Sequence, residues 1–270
     1  MGQGQAGGLF SRATELESVG PDHFRAPVED GWAIHGNLNG GFLMALAVKA
    51  ALAGNADHPD PLAVSGHYTG PVVKGEVDMH RRLLAGSRST SVYSVRLEQS
   101  GNLCCFFTVT GTNLDMARGM DLELRTPPAL PDIESCRAAQ APDRPVPLEG
   151  RLDIQYPPGS CWWEGENAGS GRYECWLRHV DGADPDALSL LLFMDAIPPA
   201  VFSLVRRPGW VPTVALSLQV RAHPAPGPVR MRVQTQSVGR GLVEEDTEVW
   251  DSSDRLVGLS RQLLKLRHVQ

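Results

Sequence analysis

One carboxylate stands out by its surroundings. Asp195 lies within Pro185 to Val205, preceded by Leu190, Leu191, Leu192, Phe193 and Met194 and followed by Ile197. An unpaired carboxylate is costly to bury, so Asp195 either turns to water or is held by polar partners for a purpose such as proton transfer. Two prolines sharpen the choice. Pro198 has no N–H for the carbonyl of Met194, Pro199 has none for that of Asp195, and Ile197, standing before proline, is pushed out of helical angles. A helix through Ala187 to Met194 therefore breaks beside the acid. From these residues alone two readings stand: a kinked core helix with its acid turned outward, and a catalytic carboxylate beside a helix break.

Other chemistry-bearing residues point elsewhere. Cys104, Cys105, Cys136, Cys161 and Cys175 are odd in number and lack Cys-x-x-Cys spacing, so neither a disulfide framework nor a zinc site is indicated, and no metal is expected. Cys104 and Cys105 adjoin in strand-like sequence, point to opposite faces and read as packing residues. Gly2, Gly4 and Gly7 have dinucleotide-loop spacing, but no strand precedes them, and Ala6 stands where a myristoylation signal wants Ser or Thr.

The 270-residue chain carries a net charge of -6 and 42% hydrophobic residues, with a pI near 5.7. This balance suits a globular protein and argues against nucleic-acid binding, which needs a concentrated basic surface. Neither a secretory signal nor an apolar run long enough for a membrane span is visible, so a cytoplasmic protein is expected.

The elements that must position Asp195 come in two similar sets. Strand-like residues Phe24 to His35 lead through a turn-rich run into a helix at Phe42 to Ala53, apolar nearly all round with Lys49 as its single charge, and so expected to be buried. His35, in that turn-rich run, reads as structural. Strands are expected at Leu62 to Thr69, Val72 to Leu84, Arg88 to Gln99 and Leu103 to Asn113, joined by hairpin signals. Residues 116 to 170 hold eight of the 21 prolines and read as a linker, with room for a short helix at Pro131 to Ala139 and a short strand at Arg151 to Tyr156. The order then repeats: a strand at Arg172 to His179, a helical region at Ala187 to Val205, and strands near Thr213 to Ala222, Val229 to Val238, Leu242 to Trp250 and Leu256 to Arg267. Turns at Ser100 and Ser252 are 152 residues apart, and Pro71 and Pro224 are 153 apart, as an internal duplication requires. Each buried helix needs cover on most sides, which an antiparallel sheet curled around it supplies. Two such halves are expected to pair edge to edge.

Several motifs in this order carry a family resemblance: Asn39-Gly-Gly-Phe-Leu-Met-Ala-Leu-Ala, Gly86-Ser-Arg-Ser-Thr-Ser, Trp176-Leu-Arg178, Met194-Asp195, Pro212-Thr213 and Ser260-Arg-Gln262. Over about Phe24 to Arg267 the chain resembles the type II acyl-CoA thioesterases and the broader thioesterase-like superfamily. The fold then expected is α+β, a double hotdog with two antiparallel sheets each wrapped around a long central helix. Its parts are a flexible tail (1–20), an N-terminal hotdog (21–115), the linker (116–170) and a C-terminal hotdog (171–270).

The resemblance implies hydrolysis of an acyl-CoA or related thioester by a water that Asp195, Thr213 and Gln262 hold. Asp195 would take the proton, Thr213 orient water or carboxylate, and Gln262 position the water. Backbone N–H groups around Gly40 and Gly41, at a helix start, would meet the oxyanion, so Gly41→Val is expected to harm turnover more than stability. The first half offers no second site, since its helix has no acid and Thr110 stands 152 residues before Gln262. No cofactor is expected. The partners expected are a thioester substrate and further copies of the chain in a homo-oligomer. Two alternatives accompany this reading: a non-catalytic acyl-CoA-binding hotdog protein, and a hotdog hydratase or dehydratase.

Overall fold

The structure is a computed structural model and describes residues 7–138, 146–160, 169–205 and 211–266. Cys161 and most of the glycine pattern at 2–7 lie outside the described residues, as do the ends of the short helix expected at Pro131 to Ala139 and of the strand expected to Arg267.

Helix α1 (Leu9–Ala13) and the hairpin of β1 (Glu17–Gly20) and β2 (His23–Val28) open the chain, and Phe10 is buried. A short hairpin, β3 (Ala33–Ile34) and β4 (Asn37–Leu38), turns at His35 and Gly36 and delivers the chain to α2 (Gly40–Leu52). Strands β5 (Asp60–Tyr68), β6 (Gly75–Gly86), β7 (Ser91–Gln99) and β8 (Asn102–Thr112) complete the first half. The second half has β9 (Arg137–Ala138), β10 (Leu152–Tyr156), β11 (Arg172–His179), α3 (Ala187–Phe193), β12 (Thr213–Val220), β13 (Val229–Gln234), β14 (Val238–Gly239), β15 (Leu242–Trp250) and β16 (Leu256–Lys265).

The expected pair of sheets is one sheet. Its strand order is β1-β2-β6-β7-β8-β5-β12-β16-β15-β13-β11-β10-β9, with β14 beside β15 and the pairings antiparallel. The order β2-β6-β7-β8-β5 is mirrored by β11-β13-β15-β16-β12, and the halves fuse where β5 pairs with β12. There Ser65 lies opposite Ser217, hydroxyl to hydroxyl at 3.0 Å and 152 residues apart in sequence. The spacing of the matched turns is thus also the spacing across the junction, as a twofold relation between the halves requires. Pairing satisfies the backbone groups that two separate sheets would leave exposed at these edges.

The two helices differ more than their sequence signals do. In α2 every residue from Gly41 to Leu52 except Lys49 is buried, within a sheet formed by β2 and β5 to β8. Asn39 caps it by accepting the Phe42 N–H at 2.9 Å. The last turn of α2, where Ala50 and Ala51 are buried, leaves carbonyls without a partner within the helix. Arg81 of β6 meets them, donating to the carbonyls of Ala50, Ala51 and Ala53 at 3.1, 3.2 and 2.7 Å. Arg81→Ala is expected to destabilise the protein by roughly 2–4 kcal/mol, because it removes a charged donor from carbonyls that stay buried. Urea denaturation checks this, and a midpoint within error of wild type would contradict it.

Helix α3 does not match the long central helix expected. It has seven residues, begins with a capping box between Asp186 and Ser189, and packs on α2, β5 and β12. Pro198 and Pro199 end the helical region, and the chain resumes only as a 3-10 turn at Ala200–Ser203.

Candidate active site

Asp195 follows α3 by two residues, just past Met194, its own N–H still donating to the Leu192 carbonyl at 3.2 Å. Its side chain, half-buried, turns towards the start of α2 and towards Gln262, which removes the outward-facing reading. Oδ2 accepts from the Gly41 N–H at 2.8 Å and from Asn39 Nδ2 at 3.0 Å, and Oδ1 accepts from Gln262 Nε2 at 2.9 Å. Asn39 Nδ2 also donates to the Asp195 carbonyl at 2.8 Å. The first turn of α2 therefore grips both the side chain and the backbone of Asp195.

Thr213 and Gln262 arrive from adjacent strands. Thr213 is the first residue of β12, and Gln262, 5% exposed, lies on β16 facing the helices. Gln262 Nε2 donates to Thr213 Oγ1 as well as to Asp195. With both amide hydrogens used in this way, Gln262 sets the spacing between acid and hydroxyl, and the Thr213 O–H remains to donate to a third group. The Asp195 Oδ1, with Gln262 as its side-chain donor, retains an acceptor position.

Burial pushes the Asp195 carboxyl up to about 6, against the opposing pull of the bonds from Gly41, Gln262, Gly40 and Asn39. The result is an acid poised near neutrality, as a general base requires. Tyr68 of β5 donates to the Gly40 carbonyl at 2.9 Å, and its phenol is held well above the usual range by burial and then by the charge of Asp195.

The glycines are there for close approach. A Cβ on Gly40 would lie 2.9 Å from Asp195 Oδ2 and 3.0 Å from the Tyr68 ring, and one on Gly41 would lie 2.4 Å from the Leu191 carbonyl oxygen. Gly41 thus sits where α2 and α3 cross, and its N–H is directed at Asp195.

The structure brings Asp195, Thr213, Gln262, Gly40 and Gly41 together, while His35 stands outside the hydrogen bonds of Asp195. Sequence reasoning missed Asn39, Tyr68 and Glu245. Asn39 was legible as a residue type favoured just before a helix. Glu245 was legible from alternation, because Val243, Thr247 and Val249 define the inward face of β15. Tyr68 ends a strand and has no such signal. Among the described residues no group of three or more His, Cys, Asp or Glu is placed to hold a metal ion.

Two family models match the chain, one described as the acyl-CoA thioesterase N-terminal domain over residues 28–114 and the other as the acyl-CoA thioesterase C-terminal domain over residues 131–266. An uncharacterized protein of Mycobacterium tuberculosis is 30% identical over 287 aligned positions, covering 94% of this chain and 97% of its own. A crystal structure from Thermobifida fusca, described as a candidate thioesterase II, superposes with a TM-score of 0.85 at 29% identity, covering 96% of this chain and 98% of that one. A protein of unknown function with a hot dog fold from Alicyclobacillus acidocaldarius gives a TM-score of 0.87 at 18% identity, covering 98% and 100%, a likeness of fold alone.

Proposed function

The chain belongs to the acyl-CoA thioesterase family, and from that premise we propose that it hydrolyses an acyl-CoA or related thioester to a free acid and a thiol. The observation that carries the proposal is the Asp195 carboxylate, bonded to Gln262, which in turn bonds Thr213. We place the attacking water between the Asp195 Oδ1 and the Thr213 hydroxyl.

The water adds to the thioester carbonyl as Asp195 removes its proton, giving a tetrahedral oxyanion. The oxyanion lies at the first turn of α2, at Gly40 and Gly41, where the helix end favours negative charge. Once Asp195 takes the proton it is a poorer acceptor, so the Gly41 N–H is released towards the oxyanion as that charge develops. Collapse breaks the C–S bond. An ordinary thiol has a pKa of about 8.5, so the leaving thiolate takes the proton back from Asp195, whose carboxyl sits at about 6, and the base is regenerated.

We read the chain as two hotdog halves, 21–115 and 171–270, after the 1–20 segment, with the joining residues 116–170 adding β9 and β10 to the second half's sheet, acting in acyl-lipid chemistry in the cytoplasm and assembling further through sheet edges or faces. Among the described residues no helix is long and apolar enough to cross a membrane. A hydratase of this fold would pair a histidine with the acid. Among the described residues the hydrogen-bonded side-chain partners of Asp195 are instead Asn39 and Gln262.

A panel of acyl-CoAs of different chain lengths, assayed for free thiol and for gain or loss of an enoyl double bond, tests the proposal. Thiol release without change in the double bond is expected. Binding without turnover would leave a carrier protein, and a change at the double bond would make it a hydratase.

The pH dependence has a definite sign. The base works ionised, so kcat should rise with pH, be half-maximal at about 6, and level off towards neutral pH. A rate flat from about pH 5 to pH 7 would remove Asp195 as the base.

A further inference from the structure

A second carboxylic acid lies on the core side of the sheet. Glu245 of β15 is 3% exposed, and the register of β15 with β16 puts it directly opposite Gln262, on the same face. Its Oε2 accepts the N–H of Ala200 at 2.5 Å. Pro198 and Pro199 have no N–H, so Ala200 is the first residue beyond Ile197 that can be fastened by a backbone donor. The 3-10 turn that starts there is held again at its far end, where Ser203 Oγ accepts from the Gly171 N–H at 2.8 Å and donates to the Ala200 carbonyl at 2.9 Å.

We propose that Glu245 is a positioning residue for the reaction at Asp195: by holding the Ala200 N–H beside Gln262, it fixes the turn Ala196 to Ala200 and so keeps the Asp195 carboxylate on Gln262 and Gly41. This inference rests on the thioesterase reading and extends it to a residue that touches neither water nor substrate.

The state of Glu245 follows from what faces it. Asp195 approaches from the end of α3, Tyr173 from β11 and Gln262 from β16, while Glu244 and Asp246 flank it on its own strand. Among the described residues it has no ion-pair partner. Burial first, then the charges of Asp195, Glu244 and Asp246 push its carboxyl up to about 8, against the pull of the Ala200 N–H. At neutral pH it is a neutral acid that accepts through Oε2. As pH rises through about 8 Glu245 ionises, a second negative charge appears near Asp195, the site loosens and kcat falls. In the sign of linkage, a carboxyl raised in the folded state favours folding at low pH, and that contribution is lost as pH rises through about 8.

The test compares Glu245→Leu with Glu245→Gln in the full chain. Small misplacements of a reacting group cost rate rather than binding, so Glu245→Leu should lower kcat roughly ten- to hundredfold with little change in KM. Glu245→Gln should restore most of that loss, because its amide oxygen still accepts from Ala200, and should lose the alkaline fall in rate. A third measurement is independent of turnover: the carboxyl-carbon titration of Glu245 should shift to lower pH in Asp195→Asn. A wild-type kcat in Glu245→Leu, a wild-type alkaline fall in Glu245→Gln, or an unmoved titration would each overturn the proposal. If Glu245→Leu does not fold, the other two measurements decide. Absence of thioester hydrolysis in the wild-type protein would count against the functional reading, whereas the titration would still report on Glu245.

Discussion

Asp195→Asn is expected to fold, to bind acyl-CoA, and to turn it over on the order of 10²- to 10⁴-fold more slowly than wild type, the range set by loss of a general base. The substitution keeps the shape of the side chain. An Asn carbonyl oxygen in the place of Oδ2 still accepts from Gly41 and Asn39, and its amide, in the place of Oδ1, is met by Gln262 once the Gln262 amide turns over. What disappears is the acceptor of the water's proton. Stability should change in the opposite direction. The wild-type carboxyl titrates at about 6 in the folded chain, above its unfolded value of about 3.9, so it favours folding in acid and that contribution is lost as pH rises through about 6. The amide that replaces it does not titrate, so the melting temperature of the variant should rise relative to wild type across this window. Rapid hydrolysis by a folded Asp195→Asn protein would remove Asp195, and with it Thr213 and Gln262, from the mechanism.

Gly41→Val should abolish most activity and lower stability together. From sequence the harm is expected at turnover, with the buried helix left largely intact. The structure changes that expectation. A Cβ at Gly41 would stand 2.4 Å from the Leu191 carbonyl oxygen, 3.0 Å from Asp195 Cβ and 3.1 Å from Leu192 Cα, so any side chain drives α3 away from α2. Overpacking of this kind commonly costs about 1–3 kcal/mol, and here the contact is with backbone, which cannot rotate away. The same displacement carries Asp195 off the Gly41 N–H. Chemical denaturation and turnover measured on one preparation check both effects, and a variant with wild-type values of each would show that the crossing is looser than these distances imply.

Much of the arrangement was legible because it rests on local signals. Hairpin turns, β-strand alternation and the apolar stretch before Lys49 mark most strands and α2 to within a few residues. The duplication was legible because equal spacing of turns survives where identity between halves does not, and the Ser65 to Ser217 contact realises that spacing in space. Fusion into one sheet had a physical warrant in the need to satisfy strand edges. The shape of the second half was less legible. Leucine-rich sequence continues up to the point where α3 ends, and whether Pro198 and Pro199 kink a helix or terminate it depends on what receives the freed groups, which is a tertiary matter. The Asp195 carbonyl, which Pro199 cannot reach, is received by Asn39, and the Ala200 N–H is received by Glu245, 45 residues away in sequence.

The site divides along the same line. Asp195 was visible because a charge amid leucines contradicts its surroundings. Thr213 and Gln262 are ordinary strand residues by themselves, and only the resemblance singles them out. The grip of Asn39 and Gly41 on Asp195 joins positions that lie 156 and 154 residues apart, beyond the reach of any local pattern.

The central claim is that Asp195 activates water for direct attack on a thioester. A single turnover of an acyl-CoA substrate in heavy-oxygen water tests it most directly, with the released acid and the peptide that contains Asp195 both analysed by mass. The expected result is thiol release with heavy oxygen in the acid and none in Asp195, and the same products formed far more slowly by Asp195→Asn. Heavy oxygen incorporated into the Asp195 carboxyl would show a covalent anhydride in place of direct attack by water and would contradict the account.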